Sequence, residues 1–133
     1  MEMEFSYREE RSRLTGVIYR PVAKIEFKSS VGWVPEWVYV DSGADITLIP
    51  RSLGDLLGFE ISTEAIQEIW GVGESRIPVI IQNIGIKLGG HVFDSRVAWA
   101  LIEEVPPLLG RMDVFDEFEV IFKQNEKKVV FRR

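Results

Sequence analysis

Short runs of β-branched and aromatic residues, each cut off by a turn signal, dominate this chain and leave little room for a long helix. They cover Val17 to Phe27, Trp33 to Val40, Ile66 to Trp70, Ile77 to Leu88 and Val92 to Leu101. Ser29-Ser30-Val31-Gly32 and Leu88-Gly89-Gly90 have the composition of hairpin turns, and Gly71-Val72-Gly73-Glu74 that of a third, longer one. Near the end of the chain, Phe118 to Phe122 and Lys128 to Arg132 flank Gln124-Asn125-Glu126-Lys127 and predict a closing hairpin. This spacing predicts a small all-β barrel or sandwich. One or two short helices interrupt it. The first runs from Arg51 to about Leu57, where Leu53, Leu56 and Leu57 recur at helical offsets and Gly58 supplies the stop. The second is a single turn near Met112 to Phe115.

At 133 residues, 46% of them hydrophobic, the chain has the size and apolar content of one domain with its own core. Residues 1–13 are charged with little apolar periodicity, so they are expected to form a flexible N-terminal arm or the ragged start of an edge strand, ahead of a domain over 14–133. Cysteine is absent, which removes thiol chemistry, Cys-based zinc sites and disulfides together. A single histidine, His91, cannot build a multi-His centre, so neither a metal nor any other cofactor is expected. The net charge of -5 opposes general binding to nucleic acid or an anionic membrane, both of which require basic surface. Met1-Glu2-Met3-Glu4 is acidic where a secretory signal is basic, and no apolar stretch has spanning length; the expected location is the cytoplasm.

The chemistry concentrates at Asp41-Ser42-Gly43-Ala44, which closes the apolar run Trp37-Val38-Tyr39-Val40 and precedes Asp45-Ile46-Thr47-Leu48-Ile49-Pro50. A carboxylate at the end of a buried strand, followed by a hydroxyl, a glycine and a small residue, is an arrangement that holds Asp41 rigidly. Peptide hydrolysis by carboxylates needs two Asp side chains around one water, one ionised to take its proton and one protonated to polarise the carbonyl. Only one such loop is present. Asp45, Asp55, Asp94, Asp113 and Asp116 are the other aspartates, and none stands in an Asp-Ser-Gly or Asp-Thr-Gly frame. A two-fold homodimer, in which each copy supplies Asp41 across the axis, is the economical way to complete the pair.

From Arg20 to about Phe122 the chain resembles the retropepsin-like aspartic proteases, the single-domain dimeric enzymes of retroviral type with cellular and prokaryotic relatives. The resemblance rests on Arg20-Pro21 opening a strand, Asp41-Ser42-Gly43-Ala44-Asp45, the glycine-rich Gly71-Val72-Gly73, and Leu108-Leu109-Gly110-Arg111 before the short helix. It implies a closed acid-protease barrel acting as a homodimer on peptides or unfolded proteins. In its terms Asp41 is the catalytic carboxylate, and the Ser42 hydroxyl braces the two loops across the dimer axis. Gly43, Ala44 and Asp45 meet the substrate main chain, with Asp45 paired to Arg111. Arg20 is an intersubunit contact to the same Asp of the other copy. Trp70, Gly71, Val72 and Gly73 form a flap that closes over bound peptide. Val72, Val79 or Ile80, Leu101 and Leu109 are the expected pocket residues.

The sequence departs from the retroviral pattern in Ser42, which replaces the commoner Thr, in a flap tip poorer in glycine, and in extra residues at both ends. A module that keeps this fold to dimerise or bind peptide without cleaving it is the alternative reading. An intact Asp41 disfavours it, because an ionisable group in a buried loop is costly to keep without a use.

Overall fold

A computed structural model of the chain describes residues 1–71, 73 and 75–133. Six strands close into a barrel. They are β4 (Val22–Ser29), β5 (Gly32–Val40), β6 (Thr47–Ile49), β8 (Arg76–Leu88), β9 (His91–Ala100) and β10 (Leu108–Leu109). Their order is β4-β5-β10-β6-β9-β8, and a β4–β8 pairing at Glu26↔Lys87 and Phe27↔Ile86 shuts the ring. Strand β7 (Gln67–Trp70) extends from the outer edge of β8. The β8–β9 ladder is the longest, because Gly89 (φ 58) and Gly90 (φ 83) form the two-residue left-handed turn that matches strand twist.

Alternation along these strands places Ile25, Phe27, Val38, Val40, Ile86, Val97 and Trp99 inside. A second, smaller apolar cluster of Leu48, Val79, Ala98, Ala100 and Val105 lies beneath Ile46, Ile69, Ile77 and Leu108. Helix α1 (Arg51–Leu57) has the expected bounds and ends on Gly58 at φ 90. It lies on Trp99, whose Nε1 donates to the Arg51 carbonyl at 3.1 Å.

Three expectations change. The Val17 to Phe27 run is broken at Pro21 into β3 (Gly16–Arg20) and β4. Residues 111–118 form turns in place of a helical turn, since Asp113 adopts a left-handed φ of 67 that a helix cannot accommodate. The charged N-terminal stretch follows the edge-strand alternative and not the arm: β1 (Glu2–Ser6) pairs with β12 (Lys128–Arg132) at the edge of its sheet, and β2 (Arg8–Ser12) pairs with β3. A domain start at residue 14 would therefore fall inside the β2–β3 hairpin. The cause is a period-two pattern in which Met3 and Phe5 turn inward on the core. Outward Glu2 meanwhile pairs with Arg132 at 2.8 Å and Glu4 with Lys128 at 3.8 Å. The expected C-terminal hairpin, β11 (Glu119–Lys123) with β12, completes this three-stranded sheet within one chain.

Candidate active site

Asp41 stands where β5 leaves the barrel, and its main chain is tied to β10: Asp41 N–H donates to the Leu109 carbonyl at 3.0 Å. The loop folds back on the side chain. Gly43 N–H donates to Asp41 Oδ1 at 2.9 Å, and Ala44 N–H donates to the Asp41 carbonyl at 3.2 Å, so the carboxylate is oriented by its own loop. A Cβ on Gly43 would stand 3.2 Å from Asp41 Oδ1, which crowds this turn. Asp41 is half-buried, while Ser42 and Asp45 are exposed. Ser42 makes no hydrogen bond among the described residues.

A second segment sews this loop down from behind. Arg111 N–H donates to the Ala44 carbonyl at 3.0 Å, Met112 N–H to the Asp45 carbonyl at 2.8 Å, and Arg111 Nη2 to the Asp45 carboxylate. Thr47 and Gly110, to which the sequence reading assigns no role, make that contact possible. Thr47 is fully buried, and its Oγ1 accepts from Gly110 N–H at 3.1 Å. A side chain on Gly110 would overlap the Ile46 carbonyl, so only glycine permits so close an approach. The available signal was a lone hydroxyl in the apolar run Ile46-Thr47-Leu48-Ile49, since buried polar groups are kept where they have a partner.

Across a groove of about 990 Å³ from this loop lies the β7–β8 hairpin. Its ladder ends at Trp70↔Arg76, Gly71 N–H donates to the Ser75 carbonyl at 2.8 Å, and Gly73 turns with φ 74. Val72, an expected flap contact, lies outside the described residues, as does Glu74. Trp70 is 64% exposed with the Arg76 guanidinium 4.4 Å from its ring centroid, a cation–π distance.

Asp41, Gly43, Ala44, Asp45, Trp70 and Gly71 all line this groove; Ser42, Gly73, Arg20 and Arg111 do not. Val79, Ile80, Leu101 and Leu109, the expected pocket residues that are described, do not line the groove. Ile80 and Leu109 face the main core and Val79 lies in the smaller cluster, each at 3% exposure or less, and Leu101 packs against the main cluster; Ile77 and Leu108 line the groove instead. Side chains alternate faces, so Leu108 turns to the groove where Leu109 turns to the core, while Val79 shares the face of Ile77 but lies deeper.

Arg20 borders a second hollow of about 500 Å³ on another side of Asp41, with Glu10 and Tyr39. Within the chain Arg20 Nε donates to Glu10 Oε1 at 2.9 Å, and the Tyr39 hydroxyl donates to Glu10 Oε2 at 2.5 Å. That hydrogen bond to Glu10, followed by burial, raises the Tyr39 hydroxyl above its ordinary pKa. His91 packs against Phe93 at 5.6 Å and meets Glu117 at 2.9 Å, and no cluster of three or more metal-ligating side chains occurs among the described residues. No helix among them is long and apolar enough to cross a membrane.

No protein-family profile and no curated protein matches the sequence. Solved structures do. A retropepsin-like aspartic protease from Rickettsia conorii superposes with a TM-score of 0.65 at 15% identity, over 98% of this chain and 90% of that one. An EIAV protease in complex with an inhibitor does so with a TM-score of 0.55 at 23% identity, over 75% and 86%. The chain has the retropepsin-like fold, an all-β architecture built on a closed barrel.

Proposed function

We propose that this chain is an aspartic endopeptidase that works as a two-fold homodimer on extended or unfolded polypeptide. The observation that carries this reading is the oriented Asp41 carboxylate, held by Gly43 at one end of a groove that runs beneath a hairpin. Asp41 and the same residue of a second copy hold one water between them. The ionised partner takes the water's proton as oxygen attacks the scissile carbonyl, while the protonated partner donates to the developing oxyanion. Proton return to the amine breaks the C–N bond, and no covalent enzyme intermediate forms.

Ser42, exposed and without a hydrogen bond among the described residues, braces the paired loops across the axis. Asp45, steadied by Arg111, and the glycines of loop and flap bind substrate main chain as an added strand, with alternate side chains entering apolar pockets. Arg20 has a partner in Glu10 within its own chain and exchanges or shares it for Asp45 of the second copy. The lack of cysteine fits a reducing setting such as the cytoplasm.

Incubation of an unstructured peptide mixture from roughly pH 4 to 7, with wild type and Asp41→Asn side by side, tests the reading by mass spectrometry. Cuts are expected with wild type alone. Silence from both, with dimers confirmed, would leave a peptide-binding module of the same fold.

A further inference from the structure

The groove under the β7–β8 hairpin has an apolar base and a rim of one charge sign. Its base is formed by Ile46, Leu48, Ile69, Ile77 and Leu108. Four carboxylate residues line it, Asp41, Asp45, Glu68 and Glu104, and no lysine or arginine does so among the described residues.

The compensation of these charges is uneven. Asp45 is bound to Arg111 from outside the groove. Glu68 meets Arg76 at 3.4 Å, with both side chains more than half exposed, a pair that contributes little and yields readily to another cation. Glu104 forms no ion pair or hydrogen bond among the described residues, whereas its neighbour Glu103 is engaged by the Ser52 main chain and hydroxyl at 3.1 and 2.6 Å. Apart from Asp41 itself, whose carboxylate accepts only from Gly43 N–H, Glu104 is therefore the uncompensated charge of the groove among the described residues. Trp70 adds an exposed ring face that already holds one guanidinium.

We infer that the groove selects peptides in which apolar side chains near the cut are flanked by lysine or arginine, with Glu104 and Glu68 as the selecting residues. This rests on the protease reading for the word cut, but the recognition itself is a matter of binding. An apolar core side chain is buried against the base. A flanking ammonium or guanidinium reaches Glu104, or displaces Arg76 from Glu68 and takes its place over Trp70. Low-dielectric walls bearing one sign of charge concentrate counter-charged ligands, and salt weakens that attraction.

Binding to the Asp41→Asn protein separates this inference from the catalytic one. Three peptides with the same apolar centre and Lys, Gln or Glu flanks are titrated against it, read by Trp fluorescence and calorimetry at low and high salt. The expected order is Lys over Gln over Glu, with at least about a ten-fold span at low salt that shrinks at high salt. Exposed Glu104 tolerates substitution without unfolding: Glu104→Gln should reduce the span several-fold and Glu104→Lys should invert it, with binding of the Gln-flanked peptide little changed. Equal affinities for the three peptides, or a span untouched by both Glu104 variants, would overturn the inference. In wild type the same order in kcat/KM supports it. Absence of cleavage beside a preserved binding order would sink the protease reading and leave this one standing.

Discussion

Gly54 shows how one position reverses an ordinary rule. Glycine inside a helix usually costs stability relative to alanine, yet a methyl group here would run into the indole of Trp99, which is fully buried and cannot retreat. Gly54→Ala is therefore expected to destabilise by about 1–3 kcal/mol, read as a lower denaturant midpoint at unchanged slope. Thr47 makes the complementary case. Thr47→Val keeps shape and β-branching but leaves the buried Gly110 N–H without an acceptor, a loss of about 1–3 kcal/mol. Peptide cleavage should fall further than folding does, because the contact it breaks is the one beneath the Asp41 loop. Asp41, Asp45 and Arg111 were legible as a motif in sequence. Thr47 and Gly110 were not assigned, since their roles exist only where two distant segments touch.

Among the elements, the 111–118 turn is held by a clamp that titrates. The Arg96 main-chain N–H and Nε donate to Asp113 Oδ2 at 2.9 and 2.8 Å, and Nη2 donates to Oδ1 at 3.0 Å. The Arg96 side-chain bonds, then the main-chain bond, hold the Asp113 carboxyl below its ordinary value. A depressed folded pKa means that the clamp stabilises fully above the unfolded aspartate value of about 4, and that this contribution is lost as pH falls through the folded value. Arg96→Met should accordingly lower the melting temperature at pH 7, modestly because the pair is largely solvated, and the gap should be smaller at a pH below the unfolded aspartate value of about 4. Paired melts at the two pH values check the sign. The helix over Arg51 to Leu57 is readable from its leucine spacing, whereas the 111–118 turn reads as a helical turn in sequence, since nothing local reports that Asp113 is drawn to Arg96. The N-terminal strands were hidden by charge: Glu2, Glu4, Arg8 and Glu9 read as solvated until the partners of Glu2 and Glu4, Arg132 and Lys128, are seen on β12.

For the whole molecule, β1 and β12 pair with each other inside one chain, Met1 and Arg133 exchanging hydrogen bonds at 3.0 and 2.9 Å. In the proposed homodimer, terminal strands paired in this way would leave the Asp41 loops and their surroundings to carry much of the contact between copies, which favours subunits that exchange. Mixing wild type with increasing Asp41→Asn protein should then depress cleavage in proportion to the heterodimers formed, towards the square of the wild-type fraction; activity that stays proportional to wild-type content would mean that one chain suffices. The β-rich runs, the Gly89-Gly90 turn, helix α1 and the Asp41 loop were determined by the sequence alone, because strand alternation, turn conformation and helix periodicity are properties of neighbouring residues. Which face of β8 points to core or groove, why position 110 admits only glycine, and that Glu104, Glu68 and Trp70 share one groove with Asp41 were decided by tertiary structure. Those facts are distances between segments far apart in the chain, and closure of the barrel sets them.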